Sequence, residues 1–310
     1  MSWSKAHSSL IHTLWLMSAF ADGVVVSDTK MMAKSVVQEI TQHAGTFAFD
    51  SHKHGRRALL YLLVPRSPRH FTPATTALLV ETDAARARTS KKDADVRLRE
   101  IRTAAAEGPT GLLKLAEGRM DGMARDPGAS LLLAEILLYS EGGKCTVDHR
   151  VTVKFDTLWT LDRRAAVSGI VSLLHKPYPT PVPSNGELMH IIDIPHGARL
   201  VKTLVQGGHY SRAMSDIEVA PSWPARDFVR AFLLGTGDGK EGIGKEDLVR
   251  MAGGNGAFVV AELIARVVKD EEAEEERKYL KVVFDVKAVG EIEAKKPKGL
   301  DVLLEQLRKL

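Results

Sequence analysis

Five segments of this chain repeat one local pattern: a break, a glycine, two variable residues and then an apolar helix. They are His54-Gly55-Arg56-Arg57-Ala58-Leu59-Leu60, Pro127-Gly128-Ala129-Ser130-Leu131-Leu132-Leu133, His196-Gly197-Ala198-Arg199-Leu200-Val201-Lys202, Asn255-Gly256-Ala257-Phe258-Val259-Val260-Ala261 and Lys298-Gly299-Leu300-Asp301-Val302-Leu303-Leu304. A weaker sixth, His7-Ser8-Ser9-Leu10-Ile11, has serine for glycine. Each helix opened in this way is apolar over a wide face that it cannot bury alone, and stacking on neighbouring units solves the problem. Glycine fits the position in two ways, by letting backbones approach closely or by giving a turn just before the helix. The constant offset from glycine to helix predicts a repeat array. The copies are unevenly spaced, so some units are degenerate or separated by insertions.

The rest of the chain reads as helix as well. Aromatic residues make up only 6% of it while Ala, Leu and Val are abundant, a mixture suited to helices packed through aliphatic side chains. Asp28 and Asp93 can each cap a helix, the first carrying Met31, Met32, Val36, Val37 and Ile40, the second Val96, Leu98 and Ile101. Residues 111–123 and 130–139 form two more, separated by Asp126-Pro127-Gly128, and 225–234 and 257–268 follow the same style. Residues 147–154 alternate like a strand. The Val-rich stretch 279–289 follows an acidic helical run and reads as its continuation. Loops are expected at 82–90, 139–145, 176–186 (with Pro177, Pro179, Pro181 and Pro183) and 235–244.

Several function classes lose their footing. Cys145 is the only cysteine, so the chain can form neither an internal disulfide nor a Cys-based zinc site, which fits a reducing compartment. Residues 10–20 are apolar but too short to span a bilayer, and no basic n-region leads a long apolar core, so neither a signal peptide nor a membrane helix is expected. Gly239 to Lys245 fits Gly-x4-Gly-Lys, but Glu246 replaces the Ser or Thr that would hold magnesium, and a helix precedes it where a phosphate loop needs a strand. His52-Lys53-His54 has only Asp50 beside it and completes no metal site. There is no Gly-x-Ser-x-Gly elbow and no carboxylate pair that the sequence places in a cleft. A binding scaffold without cofactor or metal is therefore expected, and not an enzyme.

The net charge of +4 permits nucleic-acid binding without requiring it. Basic residues cluster at 53–57, 66–69 and 86–102, far along the chain from the acid run 270–276. Two readings stay open: separate solvated faces, or an electrostatic footprint for an anionic polymer. The acid run itself reads as a solvated helix face, with a contact to basic proteins as the alternative.

The repeat resembles the Pumilio-type RNA-binding repeat, whose middle helix opens with a similar Gly-led segment. Gly55-Arg56-Arg57-Ala58-Leu59-Leu60-Tyr61-Leu62-Leu63-Val64-Pro65-Arg66-Ser67-Pro68 is similar to a signature of the divergent Puf-A type, and Ser90-Lys91-Lys92-Asp93-Ala94-Asp95-Val96-Arg97-Leu98-Arg99-Glu100 resembles the start of the CPL region that follows it in that family. Further agreement runs through 126–138, Gly186-Glu187-Leu188-Met189-His190 and 195–204, so the resemblance covers most of 5–310. It implies an all-α, armadillo-like superhelical array, with degenerate Pumilio-type repeats at 1–82, a CPL region at 83–235 and C-terminal repeats at 236–310. It also implies a nucleolar protein that binds RNA, or DNA, with little base specificity and acts in large-subunit ribosome biogenesis and translational control, among pre-ribosomal particles or assembly factors and away from membranes. Because the likeness starts near Trp3, the chain corresponds to the C-terminal part of the family. Residues 145–162 have no counterpart and read as a lineage-specific insertion or a gene-model error such as a retained intron.

In Pumilio repeats, side chains of the middle helix each help to read one base. The aligned positions here are Arg56, Arg57 and Leu60; Ala129, Ser130 and Leu133; Ala198, Arg199 and Lys202; Ala257, Phe258 and Ala261; and Leu300, Asp301 and Leu304. None offers the usual amide or hydroxyl, flat side chain and Gln or Glu, so the code is lost. What remains is charge. Arg56, Arg57, Arg199 and Lys202, with Lys53, His54 and His196 nearby, are the candidate phosphate contacts, and pairing of Arg56 and Arg199 with acids of adjacent repeats is the structural alternative. The runner-up function is a protein scaffold whose concave face holds a ribosomal protein or assembly factor. The inserted stretch 145–162 is expected to be a poorly packed loop whose amides exchange freely with deuterium, and protected amides there would overturn that expectation.

Overall fold

The computed structural model describes residues 28–49, 53–77, 80, 84, 93–141, 161–178, 189–212, 214–235 and 242–310. The expectations placed on His7-Ser8-Ser9-Leu10-Ile11, on 10–20, on 147–154 and on the inserted stretch up to 160 fall outside these residues. The helices with both ends described are α1 (Asp28–Gln42), α2 (Ala44–Phe47), α3 (Lys53–Leu63), α4 (Ala94–Ala106), α5 (Leu112–Arg125), α6 (Ala129–Tyr139), α7 (Leu161–Leu174), α8 (Pro195–Gln206), α9 (Ala225–Leu234), α10 (Lys245–Ala252), α11 (Ala257–Lys269), α12 (Glu274–Val283), α13 (Val286–Lys295) and α14 (Leu300–Leu307), and 73–77 is helical as well. A 3-10 turn, Ile191–Asp193, leads into α8, and a hairpin of β1 (Gly208–Ser211) and β2 (Asp216–Val219) follows it. The class is all-α, as expected.

The contacts divide the chain into two compact units, one from 1–119 and 131–166, the other from 120–130 and 167–310. The division enters α5 at Arg119, where the backbone leaves helical geometry (φ −127°, ψ 18°). In the first unit α4 packs on both α1 and α3. Asp93 caps α4 as read from sequence, its carboxylate accepting from the Asp95 amide at 2.8 Å. The helix α6 is apolar on every side, the pattern of an interior helix, and Leu131 alone in it is exposed. Its one charge, Glu135, is fully buried and meets His70 Nε2 at 2.7 Å and Arg69 at 3.8 Å. Asp126 ends the preceding turn and opens α6 by accepting from the Gly128 and Ala129 amides at 2.8 and 2.6 Å.

The second unit shows the repeat most plainly, because equivalent helices pack on one another. The Gly-led helices stack α8 on α11 and α11 on α14, while α10 packs on α13 and α9 on α12. Both proposed roles of the glycine occur. At Gly256 a Cβ would lie 2.4 Å from Ile192 Cγ2, in the turn that opens the preceding unit. Gly299 adopts φ +90°, and a Cβ there would stand 2.8 Å from the ring of Phe258 in α11. Each glycine thus receives a side chain of the unit before it.

Two features differ from the sequence reading. The hairpin was not expected. It pairs Gly208 with Val219 and Tyr210 with Ile217, and its strands of four residues are too short for a period-two pattern to stand out. Left-handed Gly207 (φ 76°) ends α8 and turns the chain into it. The stretch 279–289 is helical but not continuous: α12 ends before Phe284, and Asp285 caps α13 by accepting from the Ala288 amide at 2.8 Å.

Two glycine substitutions separate packing from propensity. Gly256→Ala is expected to lower unfolding free energy by about 1–3 kcal/mol, since Ile192 and Met251 must give way. Gly290→Ala, in α13 with open space around it, should raise it by about 0.5–1 kcal/mol. Chemical denaturation of the two variants checks both signs.

Candidate nucleic-acid interface

The first candidate group lies on α3, in the first unit. Lys53 and His54 begin that helix, and their side chains lie outside the described part of the structure. Arg56 is buried and donates to the Ala48 carbonyl at 3.4 Å. Its sequence alternative, pairing with an acid of an adjacent repeat, is not what this contact shows. Arg57, one residue on, is exposed.

The second group lies on α8, in the second unit. Arg199 is exposed. His196 is half-buried and donates from Nε2 to the Arg125 carbonyl at 2.6 Å, so that ring nitrogen carries its proton. Lys202 approaches Glu262 of α11 at 3.8 Å, and Gln206 donates to the same carboxylate at 2.9 Å. Arg57 and Arg199 stand at the same place in the repeat, two residues after the glycine.

Burial explains why six of the aligned positions carry no base-reading chemistry. Leu60, Ala129, Ser130, Leu133, Ala257 and Ala261 are all buried. Ser130 spends its hydroxyl on the Pro127 carbonyl at 3.1 Å. These side chains fill the interior, so aliphatic residues there satisfy packing.

The cationic clusters read from sequence are partly structural. Arg102 donates to the Leu63 carbonyl at the end of α3 (2.7 Å), lies 4.9 Å over the Tyr139 ring and reaches Glu141 at 3.4 Å. The acid run 270–276 is not simply a solvated face. Asp270 lies 3.3 Å from Arg226 and Glu272 bonds the same side chain, while Glu275 and buried Glu276 hold Arg230, the latter at 3.1 Å. These pairs join α9 to the next repeat, and their separation of 45 residues or so left no signal in sequence. The Gly-x4-Gly-Lys segment also resolves: Lys245 Nζ is 2.7 Å from Asp285, and Gly239 lies outside the described residues.

A stack of rings that the sequence did not announce closes the end of α7. Tyr178 lies flat on His190 (centroids 4.1 Å apart) and under the Arg250 guanidinium (4.6 Å). His190 Nε2 donates to the Leu174 carbonyl at 3.2 Å and its Nδ1 accepts from the Ile192 amide at 3.3 Å. Both ring nitrogens are thereby assigned and the imidazole is neutral. Burial pushes its pKa below the ordinary value, against the weaker pull of the Leu174 carbonyl. Burial likewise pushes the Tyr178 phenol and the nearby Asp193 carboxyl up.

Among the described residues no group of three His, Cys, Asp or Glu could hold a metal ion, and no single helix is long and apolar enough to cross a membrane.

Stacked Gly-led helices with regular partners define a helical-repeat protein. Residues 51–215, just over half of the chain, match the model of the CPL (NUC119) domain, and the chain belongs to the divergent Puf-A-like Pumilio family that carries it. It is 31% identical to Pumilio homology domain family member 6 of Schizosaccharomyces pombe, over 90% of this chain and 36% of that protein. It is 26% identical to Pumilio homolog 3 of Danio rerio, over 95% of this chain and 39% of that protein. The crystal structure of human Puf-A superposes with a TM-score of 0.60 at 19% identity, covering 98% of this chain and 52% of that one. Human Puf-A in complex with DNA gives 0.57 at 20%, with 97% and 51% covered. The chain thus spans well under half the length of these curated relatives and about half of the solved chain. None of them is named as an enzyme.

The His190 site gives a pH prediction. Its folded pKa lies below the unfolded value of about 6.5, so the unfolded chain binds the extra proton first. The stabilisation is complete above about pH 6.5 and is lost as pH falls below it. Urea midpoints measured from pH 7.5 to 5 should decline, and His190→Gln should flatten that decline. An unchanged slope in the variant would remove His190 as its source.

Proposed function

We propose that this chain binds RNA through its phosphate backbone, with weak sequence preference. The observation that carries the reading is the exposure of Arg57 and Arg199 at one repeat position, while Leu60, Leu133 and Ala261, where bases would be read, are buried. Contacts to phosphate supply affinity and little sequence information. The names of the Pumilio relatives and the DNA complex of human Puf-A support a nucleic-acid ligand. With the family resemblance we extend the proposal to large-subunit ribosome biogenesis and translational regulation, in the nucleus and nucleolus, with pre-ribosomal particles or assembly factors as partners. We also propose that the CPL region runs from 83 to 235, later at both ends than the matched segment.

One observation favours the scaffold reading as the second. The β1–β2 hairpin exposes Tyr210 (59%), Val219 (58%) and Met214 (64%), an apolar set suited to a protein surface such as that of a ribosomal protein or assembly factor.

Gel shifts with unrelated single-stranded RNAs across a salt series separate the two. The RNA reading expects affinity to fall steeply with salt. Arg57→Glu and Arg199→Glu should each weaken every RNA by about ten-fold, the worth of one charged hydrogen bond, and lower the salt slope by about 0.7 per lost contact. Equal affinity after both reversals would refute the assigned contacts, and no shift even at low salt would favour the scaffold.

A further inference from the structure

We infer that a cavity between α3 and α4 receives one pyrimidine base of a bound RNA strand. The inference rests on the RNA reading and draws on Tyr61 and Leu62 of α3, not on the aligned positions Arg56, Arg57 and Leu60 of the same helix.

The cavity has a volume of about 150 Å³ and lies wholly within the first unit. A cavity of that size admits a benzene-sized ring. Leu62, Leu98 and Ile101 supply apolar wall for the faces of a ring, while Tyr61, Asp95 and the arginines Arg66 and Arg97 bring polar groups to the same lining. A pyrimidine needs this mixture: flat apolar faces, with acceptors and donors confined to its edge. Guanidinium groups can stack on such a ring or donate to its carbonyl oxygens. Asp95 and the Tyr61 hydroxyl can accept from its N–H groups.

Two features make this more than a packing gap. Arg97, only 4% exposed, is one of the residues that line the cavity. Burial lowers its pKa, and Glu100, one turn along α4, opposes that only in part. Arg66 holds a left-handed backbone (φ 67°), a conformation unfavourable for any residue with a Cβ. Strain of this kind collects at binding sites. A strained arginine and a buried one therefore line the same small space.

The test uses the full chain, with cytidine and uridine 5′-monophosphate as probes and ribose 5-phosphate as the control, read by calorimetry or by NMR shifts. Both nucleotides should bind and ribose 5-phosphate should not. Leu98→Trp, which fills the space, and Arg66→Gly, which removes a guanidinium and relieves the left-handed strain, should each weaken nucleotide binding at least about ten-fold. Arg66→Gly should melt no lower than wild type, so a folding defect in the tryptophan variant leaves the test intact. Equal binding of ribose 5-phosphate, no binding of either nucleotide, or wild-type binding by Arg66→Gly overturns the pocket. A wild-type chain that shifts RNA but takes no nucleotide defeats this inference alone. A chain that takes the nucleotides but shifts no RNA defeats the RNA reading and, with it, the origin assigned to the base.

Discussion

The missing Cβ at Gly256 and Gly299 sets how closely the last three Gly-led helices stack. In the second unit the contact recurs: Gly256 accepts Ile192 from the unit before it, and Gly299 accepts the Phe258 ring. A methyl group at either place would push the units apart, and packed interiors absorb such a change poorly. The consequences spread outward. With α8, α11 and α14 held together, α9 lies against α12 and α10 against α13, and the charges along those seams come within reach of one another.

Those seams explain where many of the cations went. Arg226 and Arg230 meet the acid run 270–276, Lys245 meets Asp285, and Lys202 faces Glu262. Exposed pairs of this sort contribute little to stability on their own. Their effect is on the character of the surface, because a cation already facing a carboxylate is a poor phosphate ligand. Arg56, Arg102 and Arg125 are further committed to backbone carbonyls. Folding thus thins the cationic surface that the sequence suggests, while Arg57 and Arg199 remain exposed at one repeat position.

Burial also gives the loss of a base-reading code a physical cause. Leu60, Leu133 and Ala261 lie inside the units, where a hydrogen-bonding side chain would have no water and would need a partner. Selection for packing at these positions accounts for their aliphatic character. Of the positions two residues after the glycine, Ser130 is buried, while Arg57, Arg199, Phe258 and Asp301 are exposed and vary in character.

The sequence by itself determined the helices, the cap at Asp93, the break at Asp126-Pro127-Gly128 and the repeat, since glycine placement, capping and apolar periodicity are local properties of the chain. The family was legible for the same reason, in the ordered signature from Gly55 to Pro68 and the segment that follows Ser90. The hairpin escaped because two four-residue strands are defined by their pairing, Tyr210 with Ile217, and not by any pattern within either. The tertiary structure alone decided which arginines were spent, as with Arg230 and Glu276, 46 residues apart, and which remained exposed. It alone brought Tyr178, His190 and Arg250 into one stack, and Arg66 and Arg97 around one cavity. Charge and hydrogen bonding act over a few ångströms of space, and the sequence does not carry those distances until the glycine contacts have fixed the stacking.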